Sequence, residues 1–190
     1  YTLGLTIFSI GSVSSALFEV PTGVFSDLIG RKMTLLLGAI SSTLAVSLYA
    51  VGGSFWILAL GSLFNGLSFA LFSGNNNAFI YDTLKESGKE EEYALVYGQT
   101  GAMFQFALAS SALIGSFILG VESFKWVLWL SVIPQAVGVV LVYLMREPKR
   151  HYKDIETNVF SHIKESFKVI KENFKLKMLS FAQILDYGLG

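Results

Sequence analysis

Cysteine is absent from this 190-residue chain. Disulfides and thiolate metal sites are therefore excluded, and cysteine usage leaves the redox compartment open. Histidine is almost as scarce. His151 and His162 lie in a charged segment and read as solvated. No histidine falls in an apolar run, and neither H-E-x-x-H nor G-x-S-x-G occurs. A membrane enzyme would need a nucleophile with its base, or a metal set. No enzymatic activity, cofactor or metal is expected. Charge is also sparse, at 15% of residues against about 25% in soluble domains.

Apolar residues take the place of charge. They make up 53% of the chain, and mean hydropathy is +0.57. They gather in runs long enough to cross a bilayer, which takes about 20 residues. The runs predict helical spans at 3–26, 33–51, 55–81, 94–119 and 124–145, and a further one opening near 177. The expected fold class is all-α: a polytopic transmembrane helix bundle. The first residue is Tyr rather than Met, and the chain opens almost inside a span, so a fragment is expected.

Zero formal net charge hides an asymmetry. The connections 27–32, 82–93 and 146–176, with their edges, hold thirteen of the fourteen Lys and Arg residues; Lys125 alone lies on the other side. Cytoplasmic loops carry the excess of Lys and Arg. These three connections are therefore expected in the cytoplasm, with the first span running outside to inside. The location expected is the cytoplasmic (plasma) membrane, crossed several times.

Short outer turns at 52–54 and 120–123 join antiparallel helix pairs. The longest connection reads as a boundary between two membrane halves. It opens on Arg146-Glu147-Pro148, where proline disfavours helix before it. Val159, Ile163, Phe167, Ile170 and Phe174 then recur at helical spacing opposite Lys164, Lys168 and Lys171, which predicts an amphipathic surface helix. Residues 1–146 are expected to form the first bundle, 147–176 a cytoplasmic linker, and 177–190 the start of a second half.

One stretch is more specific than hydropathy. Gly23-Val24-Phe25-Ser26-Asp27-Leu28-Ile29-Gly30-Arg31-Lys32 sets a carboxylate, a turn glycine and two cations at a membrane boundary. Asp27 closes a helix at its C-terminal end, where the macrodipole disfavours negative charge, so it needs a cation. Arg31 or Lys32 is near enough, with Gly30 reversing the chain between them. Gly23 lies one turn before Asp27 and would let another helix approach closely. The plain alternative is a capped cytoplasmic turn.

The stretch resembles the loop signature of the major facilitator superfamily, G-x-(L)-x-D-(R/K)-x-G-R-(R/K), which joins that family's second and third helices. Leu28 departs from the usual cation and Phe25 from the usual Leu. Asp82 matches an acid at the end of the family's fourth helix. The resemblance implies a gating charge cluster of Asp27, Arg31 and Asp82, with Gly23, Gly30 and Lys32 around it, latching onto a C-terminal half of the same transporter. The runs 18–23 and 73–84 also look like a poorly characterised bacterial branch of this superfamily. The family's antiporter signature needs Gly-Pro in its fifth helix, and 94–119 has no proline.

Polar groups inside the spans are the remaining candidates. Ser12, Ser15, Glu19, Thr22 and Ser26 form one stripe at helical spacing. Glu19 lies about 10 Å inside the boundary by helical rise. Intramembrane acids face protein or water, so Glu19 is a candidate proton or substrate site, against the alternative of a structural acid. Asn76 shares a face with Ser62, Asn65, Phe69 and Ser73 when 55–81 is counted as one helix. Glu19 and Asn76 are expected to face inward at equal depth and to share a hydrogen bond or a water. Gln105 in a small-residue stripe and Asp186 in the last span complete the set.

These features predict a secondary active transporter of a small solute working by alternating access, with protons as a candidate coupling ion. The alternative is a non-transporting scaffold or sensor of the same fold. The partners expected are the solute, the lipid bilayer and the second half; no nucleic acid is expected.

Overall fold

The computed structural model describes residues 2–121, 124–148 and 178. Apart from Met178 these belong to the first of two units, Tyr1–Arg150. The amphipathic pattern at 159–174 and the last span with Asp186 lie outside the described residues. Among the described residues six α-helices follow in order before Met178: α1 Thr2–Ile29, α2 Arg31–Val51, α3 Phe55–Phe72, α4 Asn75–Glu86, α5 Tyr93–Val121 and α6 Phe124–Leu144. One 3₁₀ turn, Glu90–Glu92, precedes α5. Among the described residues five stretches are long and apolar enough to cross a membrane, with α3 and α4 sharing one. Among the described residues there is no strand, and the all-α bundle read from the apolar runs is what forms.

Large apolar side chains cover the outside. Phe8, Trp56, Phe106, Leu113 and Phe117 are each at least three-quarters exposed. In water that surface would collapse; in lipid it is the solvated face, and the helices satisfy their backbones internally. The aromatic tips mark both interfaces. Trp56 and Trp126 sit at the starts of α3 and α6. At the opposite end, Tyr93 lies edge-on to Tyr81 at 5.7 Å and stacked with Tyr97 at 5.9 Å.

The interior is built from small residues. α3 packs against both α1 and α2, α6 joins through α2, and α5 meets α4 and α6. A β-carbon at Gly66 would run into the Gly11 carbonyl and come within 2.6 Å of the Ser14 β-carbon, so α1 and α3 touch backbone to backbone there. The Ser14 hydroxyl donates to the Leu63 carbonyl at 2.9 Å. On the α2 side, Ser68 donates to the Gly38 carbonyl at 2.9 Å, and the Tyr49 ring fills the space over Gly61. Close approach of small residues, with polar groups bonded across it, holds helices together where lipid supplies no hydrophobic drive.

Two boundaries differ from the sequence pattern. The connection expected at 27–32 is almost entirely helical. α1 runs to Ile29, α2 starts at Arg31, and Gly30 alone turns the chain at φ 114°. A left-handed backbone of that kind excludes most side chains. The helix expected unbroken over 55–81 is interrupted at Ser73-Gly74, with Gly74 at φ 69°. The Thr22 hydroxyl on α1 shares its one proton among the Phe18 carbonyl at 2.7 Å, the Glu19 carbonyl at 3.1 Å and, across the helix interface, the Ala70 carbonyl at 3.1 Å. In an unbroken helix the Ala70 carbonyl would accept from the N–H of residue 74.

Candidate functional site: a charge cluster beside a broken helix

The Gly30 turn creates an electrostatic problem. Asp27 stands at the negative end of α1, and Arg31 and Lys32 stand at the positive end of α2. Each charge is disfavoured by its own helix. The structure resolves this by pairing them and adding two acids. Arg31 Nη1 is 3.8 Å from Asp27 Oδ1, and Arg31 Nε donates to Asp82 Oδ2 at 3.2 Å. The Arg31 side chain is 17% exposed and that of Asp82 24%, so this pair is shielded better than a surface ion pair, whereas Asp27, at 49%, is the longer and more solvent-exposed partner. Asp27, Arg31 and Asp82, expected together from the resemblance, do meet.

Glu147 is the acid that the spacing did not reveal. Its Oε1 accepts from the Arg31 backbone N–H at 2.9 Å, and its Oε2 from that of Lys32 at 2.8 Å. One carboxylate thus caps the first turn of α2, whose N–H groups have no partner within the helix. Beside it the Lys32 ammonium lies 5.5 Å from the centroid of the Tyr143 ring on α6. Pro148, next in sequence, is buried. The end of α6 therefore grips the start of α2. The available signal was an acid directly after the last span, but nothing in local spacing connects it to a helix start 115 residues away.

Asn75, not Asn76, takes the interior position. Asn75 is 4% exposed; Asn76 and Asn77 are exposed. The Asn75 amide donates from Nδ2 to the Arg31 carbonyl at 2.9 Å, and its Oδ1 accepts from the Ser26 hydroxyl at 2.7 Å. Arg31 Nη1 in turn donates to Ser26 Oγ at 3.4 Å. The expectation for Asn76 fails because the break at Ser73-Gly74 resets the helical phase. Counting threes and fours through the break selects the wrong residue.

Glu19 is exposed in this chain and accepts from the Ser73 hydroxyl at 3.2 Å, at the break itself. It does not share the predicted hydrogen bond with Asn76. Its stripe changes character along α1. Ser12 is exposed and Ser15 half-buried, while Thr22 and Ser26 are buried against α3 and α4. Gly23 is exposed, and a β-carbon added there would meet nothing within 4 Å, so an open surface lies one turn before Asp27. Gln105 is exposed on α5 and is not drawn into the cluster. Among the described residues, no group of three His, Cys, Asp or Glu residues could hold a metal.

Membrane-crossing helices with their charges gathered at one rim, and their interior polar groups around one interruption, have the build of a multi-pass membrane transporter. The chain belongs to the Major Facilitator Superfamily, whose family model matches residues 1–185. Over 183 residues it is 25% identical to the inner membrane transport protein YajR of Escherichia coli, covering 93% of this chain and 38% of that protein. It is 26% identical to the uncharacterized transporter BU466 of Buchnera aphidicola, covering 75% of this chain and 35% of the relative. It is 29% identical to the class E tetracycline resistance protein of Escherichia coli, covering 58% and 26%. The chain thus spans about a third of the length of these relatives.

Proposed function

We infer that this chain contributes a helix bundle to a secondary active transporter that moves a small solute by alternating access. In such transporters the solute binds near the midplane, and one half rocks against the other. The cluster of Asp27, Arg31 and Asp82, framed by Gly23, Gly30 and Lys32, acts as the cytoplasmic gate and sets the balance between access states. Its partner across the gate is the C-terminal half of the same transporter, in the plasma membrane. The observation that carries this reading is Arg31 held between acids from two different helices at one rim of the bundle.

Glu19 is the proposed solute or proton site. It is a charged side chain in the interior of α1, well before the helix ends at Ile29. An acid there faces a wet cavity rather than lipid. Protons are the proposed coupling ion.

The test uses the full-length protein in proteoliposomes. A thermal-shift screen at two pH values, with tetracycline among the first solutes, supplies the ligand for flux measurements. Asp27→Asn should slow flux by about tenfold or more while folded yield stays within about twofold of the parent, since a gating charge acts on the transport rate rather than on folding. Equal loss of flux and yield would make the cluster purely structural.

A further inference from the structure

We propose that Asn75 is a positioning residue that couples the Glu19 site to the Arg31 cluster, with the Ser73-Gly74 interruption as the hinge between them. This rests on the reading of Glu19 as the solute or proton site. The two ends of the connection are on either side of one glycine. Glu19 holds Ser73 at 3.2 Å, and the Asn75 backbone N–H donates to the Ser73 carbonyl at 2.8 Å, closing a tight turn over Gly74. From Asn75 the amide reaches both parts of the cluster: the Arg31 carbonyl through Nδ2 and Ser26 through Oδ1. A displacement of Ser73 by an event at Glu19 therefore moves the group that fixes the Arg31 backbone.

Three further features fit a hinge rather than a rigid kink. Gly74 has the left-handed backbone that lets a chain turn without a side-chain penalty. The Ala70 carbonyl, released by the break, has the Thr22 hydroxyl of α1 at 3.1 Å, in competition with the Phe18 carbonyl at 2.7 Å, so it is held only loosely. A gap of about 290 Å³, lined by Thr22, Phe25, Leu37, Ser41, Leu67 and Leu71, lies between the three helices next to the break and gives them room to shift. Asn75 itself is an expensive choice for a buried position unless both ends of its amide are used. Here both are, and both lead to residues that touch Arg31.

The test is a double-mutant cycle read by labelling in proteoliposomes of the full-length protein. Thr83→Cys, exposed on α4 beside Asp82, gives a reporter at the cluster; this stretch adds no cysteine of its own, and any elsewhere in the full-length protein are first replaced by serine. Its alkylation rate by a membrane-impermeant maleimide is measured with Glu19 and with Glu19→Gln. With Asn75 present, Glu19→Gln should change the rate by about fivefold or more, the range of a real coupling between sites. With Asn75→Leu the same change should shrink below about twofold, as expected for uncoupled sites. Asn75→Asp keeps the size and the acceptor for Ser26 but loses the donor to Arg31. It should behave like Asn75→Leu, and serves if the apolar variant does not fold. A full response to Glu19→Gln in both Asn75 variants would overturn the coupling and leave the Glu19 reading intact. No response with Asn75 present would remove the Glu19 reading, and the coupling with it.

Discussion

At Arg31 the helix dipole opposes the charge that the sequence places there, and the compensation comes from three directions. Asp27 and Asp82 take the guanidinium, while Glu147 takes the backbone N–H. The first pairing was legible because Asp27 and Arg31 are four apart. Asp82 was legible only through a family resemblance. Glu147 was not legible, since a cap that crosses the whole bundle leaves no periodic trace. Packing at single residues is equally specific. Gly66 touches the Gly11 backbone, whereas Gly98 on α5 has open space around it. Gly66→Ala should therefore destabilise the bundle by about 1–3 kcal/mol through overpacking. Gly98→Ala should be neutral or stabilising by up to about 1 kcal/mol through helix propensity. Thermal unfolding in detergent checks both; an unaffected Gly66→Ala would mean that α1 and α3 do not meet there.

Among the elements, α3 and α4 show where reading by periodicity stops working. Hydropathy carries straight through Ser73-Gly74, so a bilayer-spanning run was legible and its interruption was not. The φ of Gly74 changes the phase of all later side chains, and the inward amide becomes Asn75. A Ser-Gly pair ahead of three amides was the available hint, but it is equally compatible with an intact helix. The grip of α6 on α2 makes a separate claim about an element's end. Glu147→Gln keeps the size, loses the charge, and leaves one acceptor for two N–H groups. Loss of a helix cap costs about 1 kcal/mol. Hydrogen exchange at the Arg31 and Lys32 amides should then rise by roughly fivefold, with exchange at mid-α2 amides such as Ala45 unchanged. Equal protection in the variant would show that α2 does not depend on this carboxylate.

For the whole bundle, composition was the most reliable guide, because a bilayer imposes helix length and outward apolarity on any sequence that crosses it. Orientation is read from the cations, and membrane depth from the aromatic rings. Lys and Arg gather at the start of α2, the end of α4 and just past the end of α6, with Arg31, Lys85 and Arg146. The tyrosine group of Tyr81, Tyr93 and Tyr97 sits at the same ends, and Trp56 and Trp126 at the opposite ones. Both follow from interfacial physics: cations stay on the cytoplasmic side, and amphipathic rings settle at headgroup depth. Ser87, just after α4, and Ser54, just before α3, are exposed and lie at the two ends of one interrupted crossing. Ser87→Cys should react with an impermeant maleimide from the cytoplasmic side alone, and Ser54→Cys from the outer side alone. Labelling of both from one side would mean that α3 and α4 fold back at Gly74 instead of crossing, which would remove the gate from the cytoplasm and the hinge from the membrane interior together.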